Sequence, residues 1–148
     1  MVTQPEKLHL LDILIVEDDP DDQLLLRWAF EDARVVNRVI YISSMAELRE
    51  YLEVNGESSD QQRPPPGLIF IDPLMSGMDG VQALQTIRDY HVLSQVPIVF
   101  LILSNAEKEF VASRRLEADG YIQLPVTPEN IYHAILPIAG LRFGVFSD

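Results

Sequence analysis

The chain has 148 residues, of which 47% are hydrophobic, and its 11 basic and 23 acidic side chains give a formal net charge of −12. At roughly 150 residues per domain, this length predicts a single domain, residues 1–148, with a core large enough to fold without metals or disulfides. The absence of cysteine excludes a disulfide framework, a thiolate nucleophile and Cys-ligated zinc or iron–sulfur centres. The acidic charge argues against nucleic acid and anionic membranes as partners. No apolar run reaches the roughly 20 residues that span a bilayer, and the N-terminus lacks a secretory signal, so a cytoplasmic protein is expected.

Short apolar runs alternate with amphipathic segments along the chain. The first run, 13–16, is apolar at every position, as expected of a strand buried on both faces. Asp19 and Pro20 then supply the N-cap and the first position of a helix. The apolar stripe of this helix is expected to comprise Leu24, Leu25, Trp28 and Ala29.

The rest of the chain repeats this alternation. The proline-rich stretch 55–67 predicts a surface loop, and the helix that follows Ser104 is expected to continue to about residue 116. Such alternation predicts the α/β class, with a five-stranded parallel sheet covered by helices on both faces. The core covers about 11–139, and 1–10 and 140–148 are terminal extensions. The remaining strands are predicted at 38–42, 68–71, 97–103 and 121–124, and further helix starts at capping boxes Ser44–Glu47 and Ser104–Glu107 and at caps Asp79 and Thr127.

Acidic residues directly follow two of the predicted strands. Glu17 and Asp18 come after the first strand, and Asp72 comes after the third. Ligands of open α/β sheets bind beyond the carboxyl ends of the strands, so these three side chains converge if the two strands are neighbours. Clustered carboxylates repel one another, and their oxygens suit Mg²⁺ or Mn²⁺. A divalent ion there would also offset the charge of a phosphoryl group arriving at Asp72.

Part of this acidic run has a purely structural explanation. Acidic side chains are favoured at a helix start by the helix macrodipole, which accounts for Asp19, Asp21 and Asp22. Asp72 has no such role, because it follows four apolar residues and precedes a proline. A functional interpretation is therefore favoured for Asp72, and also for Glu17 and Asp18.

Four segments resemble the receiver domain of bacterial two-component response regulators, namely ILIVEDD (13–19), LIFIDPLMSGMDG (68–80), PIVFLILS (97–104) and GYIQLPV (120–126). The resemblance covers roughly 11–139 and implies the doubly wound, flavodoxin-like (βα)5 fold of a signalling module that is not an enzyme. Among receivers, the chain looks most like the single-domain type with a long proline-bearing loop before the third strand, as in phytochrome-associated response regulators.

The resemblance also assigns roles to individual residues. Asp72 occupies the phospho-acceptor position, and Glu17 and Asp18 occupy the positions of the acidic pair that binds metal. Leu74 would add its backbone carbonyl to a metal site formed with Asp72. The implied ion is Mg²⁺, for which Mn²⁺ could substitute.

Two switch positions depart from the family pattern. Ile102 stands where the family has Thr or Ser, and Leu124 stands where it has a Lys before a cis proline. Tyr121 matches the aromatic switch position, and without a hydroxyl at 102 that switch is expected to be disabled. Ser104 is expected to be an N-cap and not a substitute hydroxyl. Without the Lys, the site is expected either to have a raised carboxyl pKa or to hold metal more obligatorily.

The leading hypothesis is an atypical response regulator that is weakly or not phosphorylated at Asp72 and acts through protein contacts. Its expected partners are a sensor histidine kinase, for which a phytochrome is a candidate, and a downstream protein. A homodimer through the fourth helix, fifth strand and fifth helix is a further candidate. The alternative is a shuttle or sink that keeps phosphorylation and loses the switch. A haloacid-dehalogenase-like phosphohydrolase is disfavoured, because that family needs an acid where this chain has Leu74.

Overall fold

The computed structural model describes residues 11–55, 65–75, 77 and 79–135. Predictions that involve 1–10, 136–148 or most of the 55–67 loop therefore lie outside the described residues. The elements, in chain order, are β1 (Ile13–Val16), α1 (Pro20–Asp32), β2 (Val39–Ile42), α2 (Met45–Asn55), β3 (Leu68–Ile71), α3 (Gly80–Asp89), a 3-10 turn (His91–Leu93), β4 (Ile98–Ile102), α4 (Asn105–Ser113), β5 (Gly120–Gln123) and α5 (Pro128–Ile135).

The five strands form one parallel sheet in the order β2-β1-β3-β4-β5. Every residue of β1, β3 and β4 is buried, because helices cover both faces of a parallel sheet. Alternate residues of a strand face opposite sides, so Leu14 and Ile15 belong to separate apolar clusters, one packed with α2 and α3 and the other with α1 and α5. The predicted fold class is confirmed, and each strand boundary lies within one residue of its prediction.

The apolar stripe predicted for α1 is wrong at Leu24, Leu25 and Trp28 and correct at Ala29. Leu24, Leu25 and Trp28 are 43%, 38% and 53% exposed, whereas Leu26, Ala29 and Phe30 form the buried face. Because nearly every position from 24 to 30 is apolar, two stripes satisfy the helical period equally well. Tertiary packing selects between them, and the ring of Phe30 meets Phe70 of β3 edge-on with centroids 5.5 Å apart.

Helix α4 ends at Ser113, earlier than the predicted 116. Arg115 has a left-handed backbone with φ of 58°, and the N–H groups of Arg115 and Leu116 return to the carbonyls of Ala112 and Val111. This is a Schellman C-cap, at which glycine is the usual residue. An arginine at that position gives no stop signal in the sequence, which is why the helix was predicted too long.

Helix starts follow the predicted caps. The carboxylate of Asp19 accepts the N–H of Asp21 at 2.8 Å, that of Asp79 accepts Val81 at 3.0 Å, and the hydroxyl of Thr127 accepts Asn130 at 3.1 Å. Among the described residues, no helix is long and apolar enough to cross a membrane.

Candidate functional site

The ends of β1 and β3 bring the predicted site residues together. The two strands are neighbours, with Val16 opposite Ile71, and the N–H of Asp72 donates to the carbonyl of Val16 at 3.1 Å. Glu17 and Asp72 therefore emerge side by side at the carboxyl edge of the sheet. We expected these side chains to converge if β1 and β3 were neighbours, and the two strands are neighbours in the structure.

Glu17 is the most buried acidic side chain of the site, with no exposed surface. Its Oε1 accepts the N–H of Asp19 at 3.0 Å, while its Oε2 is buried and receives no hydrogen bond from the described residues. The pKa of Glu17 is raised to about 8: burial is the largest cause, the N–H of Asp19 acts against it, and the charge of Asp72 adds to the rise. This shift favours the protonated form of Glu17, in which the carboxyl can donate to Asp72.

Asp72 is half-buried, and its Oδ1 accepts the N–H of Leu74 at 2.9 Å. Burial is the main reason that the pKa of Asp72 is raised, and the charges of Glu107 and Asp18 add to that effect. The Leu74 N–H and Glu17 act in the opposite direction. Burial is thus the first cause of the raised pKa of both Glu17 and Asp72.

Asp18 is held by the loop between β3 and α3. Its Oδ2 accepts the N–H of Gly77, and a Cβ at Gly77 would lie 2.7 Å from that oxygen. Gly80 lies at the end of the same loop, where α3 begins, and a Cβ there would clash with the carbonyl oxygen of Pro73. Both glycines therefore permit close approaches that a side chain would block. The hydrogen bond from Gly77 to Asp18 was not predicted, and a glycine in the loop is its only signal in the sequence.

A fourth carboxylate, that of Glu107, was also missed as a site residue. Its Oε2 accepts the N–H of Leu103 at 3.0 Å, directly after β4, and its charge contributes to the raised pKa of Asp72. The sequence identified Glu107 only as part of a capping box. Its carboxylate lies at the same edge of the sheet as Asp72 because β3 pairs with β4.

Comparison with known proteins assigns this arrangement to a family. A model of the response regulator receiver domain matches residues 13–136, most of the chain. The chain belongs to the response regulator receiver family. Response regulator Rcp1 of Synechocystis sp. is 27% identical to this receiver over 110 residues, which cover 74% of each protein.

Solved structures agree in fold with this receiver. The bacteriophytochrome response regulator AtBRR superimposes with a TM-score of 0.75 at 29% identity, over 95% of this chain and 99% of that one. The bacteriophytochrome response regulator RtBRR gives a TM-score of 0.72 at 31% identity, over 94% and 81% of the two chains. This protein is thus a response regulator receiver of two-component signalling with the flavodoxin-like fold.

At the switch positions of this receiver, the side chains are aliphatic and buried. Ile102 is 3% exposed and Leu124 is 7% exposed, and the Leu124–Pro125 peptide bond is cis, as the resemblance implies. Tyr121 packs edge-on against Phe100 with centroids 5.9 Å apart, and the Nζ of Lys108 lies 4.6 Å from the centre of its ring. Among the described side chains, the charges that shift the pKa of Asp72 are all carboxylates.

The carboxylate oxygens that follow β1 and β3 are ligands of the kind that hard cations prefer. No group of three or more His, Cys, Asp or Glu side chains in the described part of the chain is arranged as a metal cage. Mg²⁺ does not require one, because it usually binds through one or two carboxylates and keeps several waters. The buried Oε2 of Glu17, without a hydrogen-bond partner, is the kind of orphaned acceptor that a nearby cation would stabilise. The residues therefore fit Mg²⁺.

Proposed function

We propose that this receiver accepts a phosphoryl group at Asp72 weakly or not at all, and that it signals mainly through protein contacts. The observation that supports this most strongly is the arrangement of charge around Asp72, where Glu107 and Asp18 raise the pKa of that carboxyl. A phosphoryl group adds about 1.5 to 2 negative charges, and like charges repel more strongly in a partly buried site than in water. Ile102 and Leu124 offer no polar side chain to offset that charge.

Glu17, Asp18 and Asp72 would hold Mg²⁺, with the backbone carbonyl of Leu74 as a further ligand and Mn²⁺ as a possible substitute. When bound, the ion supplies positive charge that neutralises the carboxylates and offsets phosphoryl charge. Without the ion, Glu17 would hold a proton beside Asp72. The N–H of Gly77 holds the carboxylate of Asp18 in place.

The proposed upstream partner is a sensor histidine kinase, and a phytochrome is a candidate because AtBRR and RtBRR are bacteriophytochrome response regulators. A downstream protein partner, or a second copy of the chain, would dock on the face formed by α4, β5 and α5. Among these elements, α4 has an exposed apolar side chain at Phe110 and α5 has one at Tyr132. We further propose that the chain is a signalling module and not an enzyme.

Intact mass spectrometry after incubation with Mg²⁺ and acetyl phosphate, with Asp72→Asn in parallel, tests the proposal. Little or no adduct is expected on wild type at times when a receiver that retains Thr and Lys is fully modified. Self-association, measured by sedimentation velocity, should be the same for wild type and Asp72→Asn.

The alternative function is a phosphoryl shuttle or sink. It is favoured by the partial exposure of Asp72 and by the neighbouring carboxylates, which suit a metal ion. Rapid and complete modification of wild type, absent from Asp72→Asn, would support that alternative and contradict weak phosphorylation. Loss of self-association in Asp72→Asn would contradict phosphorylation-independent docking.

A further inference from the structure

Glu107 lies where the carboxyl ends of β3 and β4 meet. The two strands pair with Ile71 opposite Phe100, so Asp72 and Leu103 both emerge at the same edge of the sheet. The carboxylate of Glu107 is fixed at that edge, because its Oε2 accepts the N–H of Leu103 at 3.0 Å. Its own N–H donates to the hydroxyl of Ser104 at 3.3 Å, which anchors the first turn of α4.

A second capping box shows which part of this arrangement is unusual. At the start of α2, the Oε2 of Glu47 accepts the N–H of Ser43 at 2.8 Å, and the N–H of Glu47 donates to Ser44 at 3.1 Å. The local geometry is the same as at α4. However, β2 is separated from β3 by β1, so Glu47 begins a helix after a strand that does not pair with the strand of Asp72.

Both glutamates therefore accept an N–H just before their helix, but only Glu107 does so at the end of a strand that pairs with β3. Capping requires an oxygen that accepts the N–H of the residue before the cap, and an uncharged amide oxygen does this as well as a carboxylate. The negative charge of Glu107 is thus not needed to start α4. What the charge adds is repulsion at Asp72, whereas the side-chain oxygen, charged or not, occupies a backbone donor that an incoming anion could use.

We propose that Glu107 is a specificity-determining residue that keeps phosphoryl groups off Asp72, by placing a carboxylate beside the acceptor and by holding the N–H of Leu103. This inference rests on the proposed role of Asp72 as the phospho-acceptor. Glu107 acts on the reaction through charge and through the Leu103 donor, and it does not bond to the transferred group.

The reaction that it opposes is simple. An oxygen of the Asp72 carboxylate attacks the phosphorus of acetyl phosphate, the bond from phosphorus to the acetate oxygen breaks, and acetate leaves with the electron pair. Asp72 is left as an acyl phosphate that carries more negative charge than the carboxylate it replaced. Removal of the Glu107 charge should therefore favour both the approach of the donor and the product.

The test compares Glu107→Gln with Glu47→Gln, its matched control. Each substitution keeps an oxygen that can cap the helix and removes one negative charge from the chain. Modification by acetyl phosphate with Mg²⁺ is followed by intact mass over time, and thermal unfolding confirms that each variant is folded. Glu107→Gln should be modified about tenfold faster than wild type, the change expected when one nearby like charge is removed. Glu47→Gln should match wild type.

Three results would overturn the role of Glu107: equal rates for Glu107→Gln and wild type, the same increase in Glu47→Gln, or no adduct on any variant. Glu107→Lys, which reverses the charge, is the second variant should Glu107→Gln fail to fold, and it should be modified faster still. Each variant is repeated with Asp72→Asn. An adduct that persists without Asp72 would contradict the proposed function itself, whereas equal rates that depend on Asp72 contradict only the role of Glu107.

Discussion

The backbone N–H of Leu124 donates to the carbonyl oxygen of Ile102 at 2.7 Å, which ties the end of β5 to the end of β4. In this receiver, the two positions that are polar in the family pattern are thus direct neighbours through the backbone, and both carry buried aliphatic side chains. Neither side chain can donate a hydrogen bond or supply a positive charge to the carboxylates that follow β1 and β3.

A lysine at position 124, just after β5, should destabilise the protein less than a lysine within that strand. Ile122 lies two residues earlier in β5, packs in the same apolar cluster and is 4% exposed, whereas Leu124 is 7% exposed. We expect a Lys at 124, beyond the end of β5 at the carboxyl edge, to extend to Asp72, whereas a Lys at 122 is buried among apolar groups. Chemical denaturation at pH 7 should show Leu124→Lys to be more stable than Ile122→Lys by roughly 2 kcal/mol or more. Equal losses of stability would show that the carboxylates are beyond reach.

Truncation of a side chain on the buried face of α1 should lower the free energy of unfolding far more than truncation on its exposed face. Phe30 is 3% exposed and packs on Phe70, so Phe30→Ala should lower the free energy of unfolding by about 3–5 kcal/mol. Trp28 is 53% exposed, so Trp28→Ala should change it by about 0.5 kcal/mol or less. Because Trp28 is the only tryptophan, acrylamide should quench the fluorescence of the folded protein readily. A blue-shifted emission that is protected from acrylamide would contradict this orientation of α1.

Local patterns in the sequence were sufficient for the strands, the caps and the sheet edge at which Glu17, Asp18 and Asp72 meet. They failed where several arrangements fit equally well, as on α1, or where a residue adopts a backbone that it seldom favours, as Arg115 does. The effect of Glu107 on Asp72 could not be predicted from local patterns either, because it depends on the pairing of β3 with β4.

We expect Mg²⁺ to stabilise the protein by binding the carboxylate of Asp18 and not that of Asp19. A ligand at about 100 times its dissociation constant adds about 2.7 kcal/mol to the stability of the protein that binds it. Asp18→Asn should abolish most of the increase in melting temperature that Mg²⁺ produces. Asp19→Asn is the matched control, because asparagine caps α1 as well as aspartate does and the same charge is removed. If both variants respond to Mg²⁺ as wild type does, Asp18 is not a ligand.

Without metal, the stability of the protein should fall as the pH rises through the range in which Glu17 loses its proton. The pKa of Glu17 is about 8 in the folded protein, against an ordinary value of 4.5. A carboxyl whose folded pKa is raised contributes stability that is fully present below its unfolded pKa and is lost as the pH rises through the folded pKa. Between about pH 4.5 and pH 8, this group should therefore reduce the free energy of unfolding by something on the order of 2–4 kcal/mol.

Glu17→Gln isolates this effect, since the amide is neutral at every pH and similar in shape to the protonated acid. Both proteins gain negative charge elsewhere as the pH rises, so the difference between their unfolding free energies reports on position 17 alone. Urea denaturation in EDTA should give similar stabilities near pH 5 and a clear advantage for Glu17→Gln near pH 8.5. Two parallel curves would mean that Glu17 is already ionised at neutral pH. Adding Mg²⁺ to wild type near pH 8.5 should restore stability, because the ion takes the place of the lost proton.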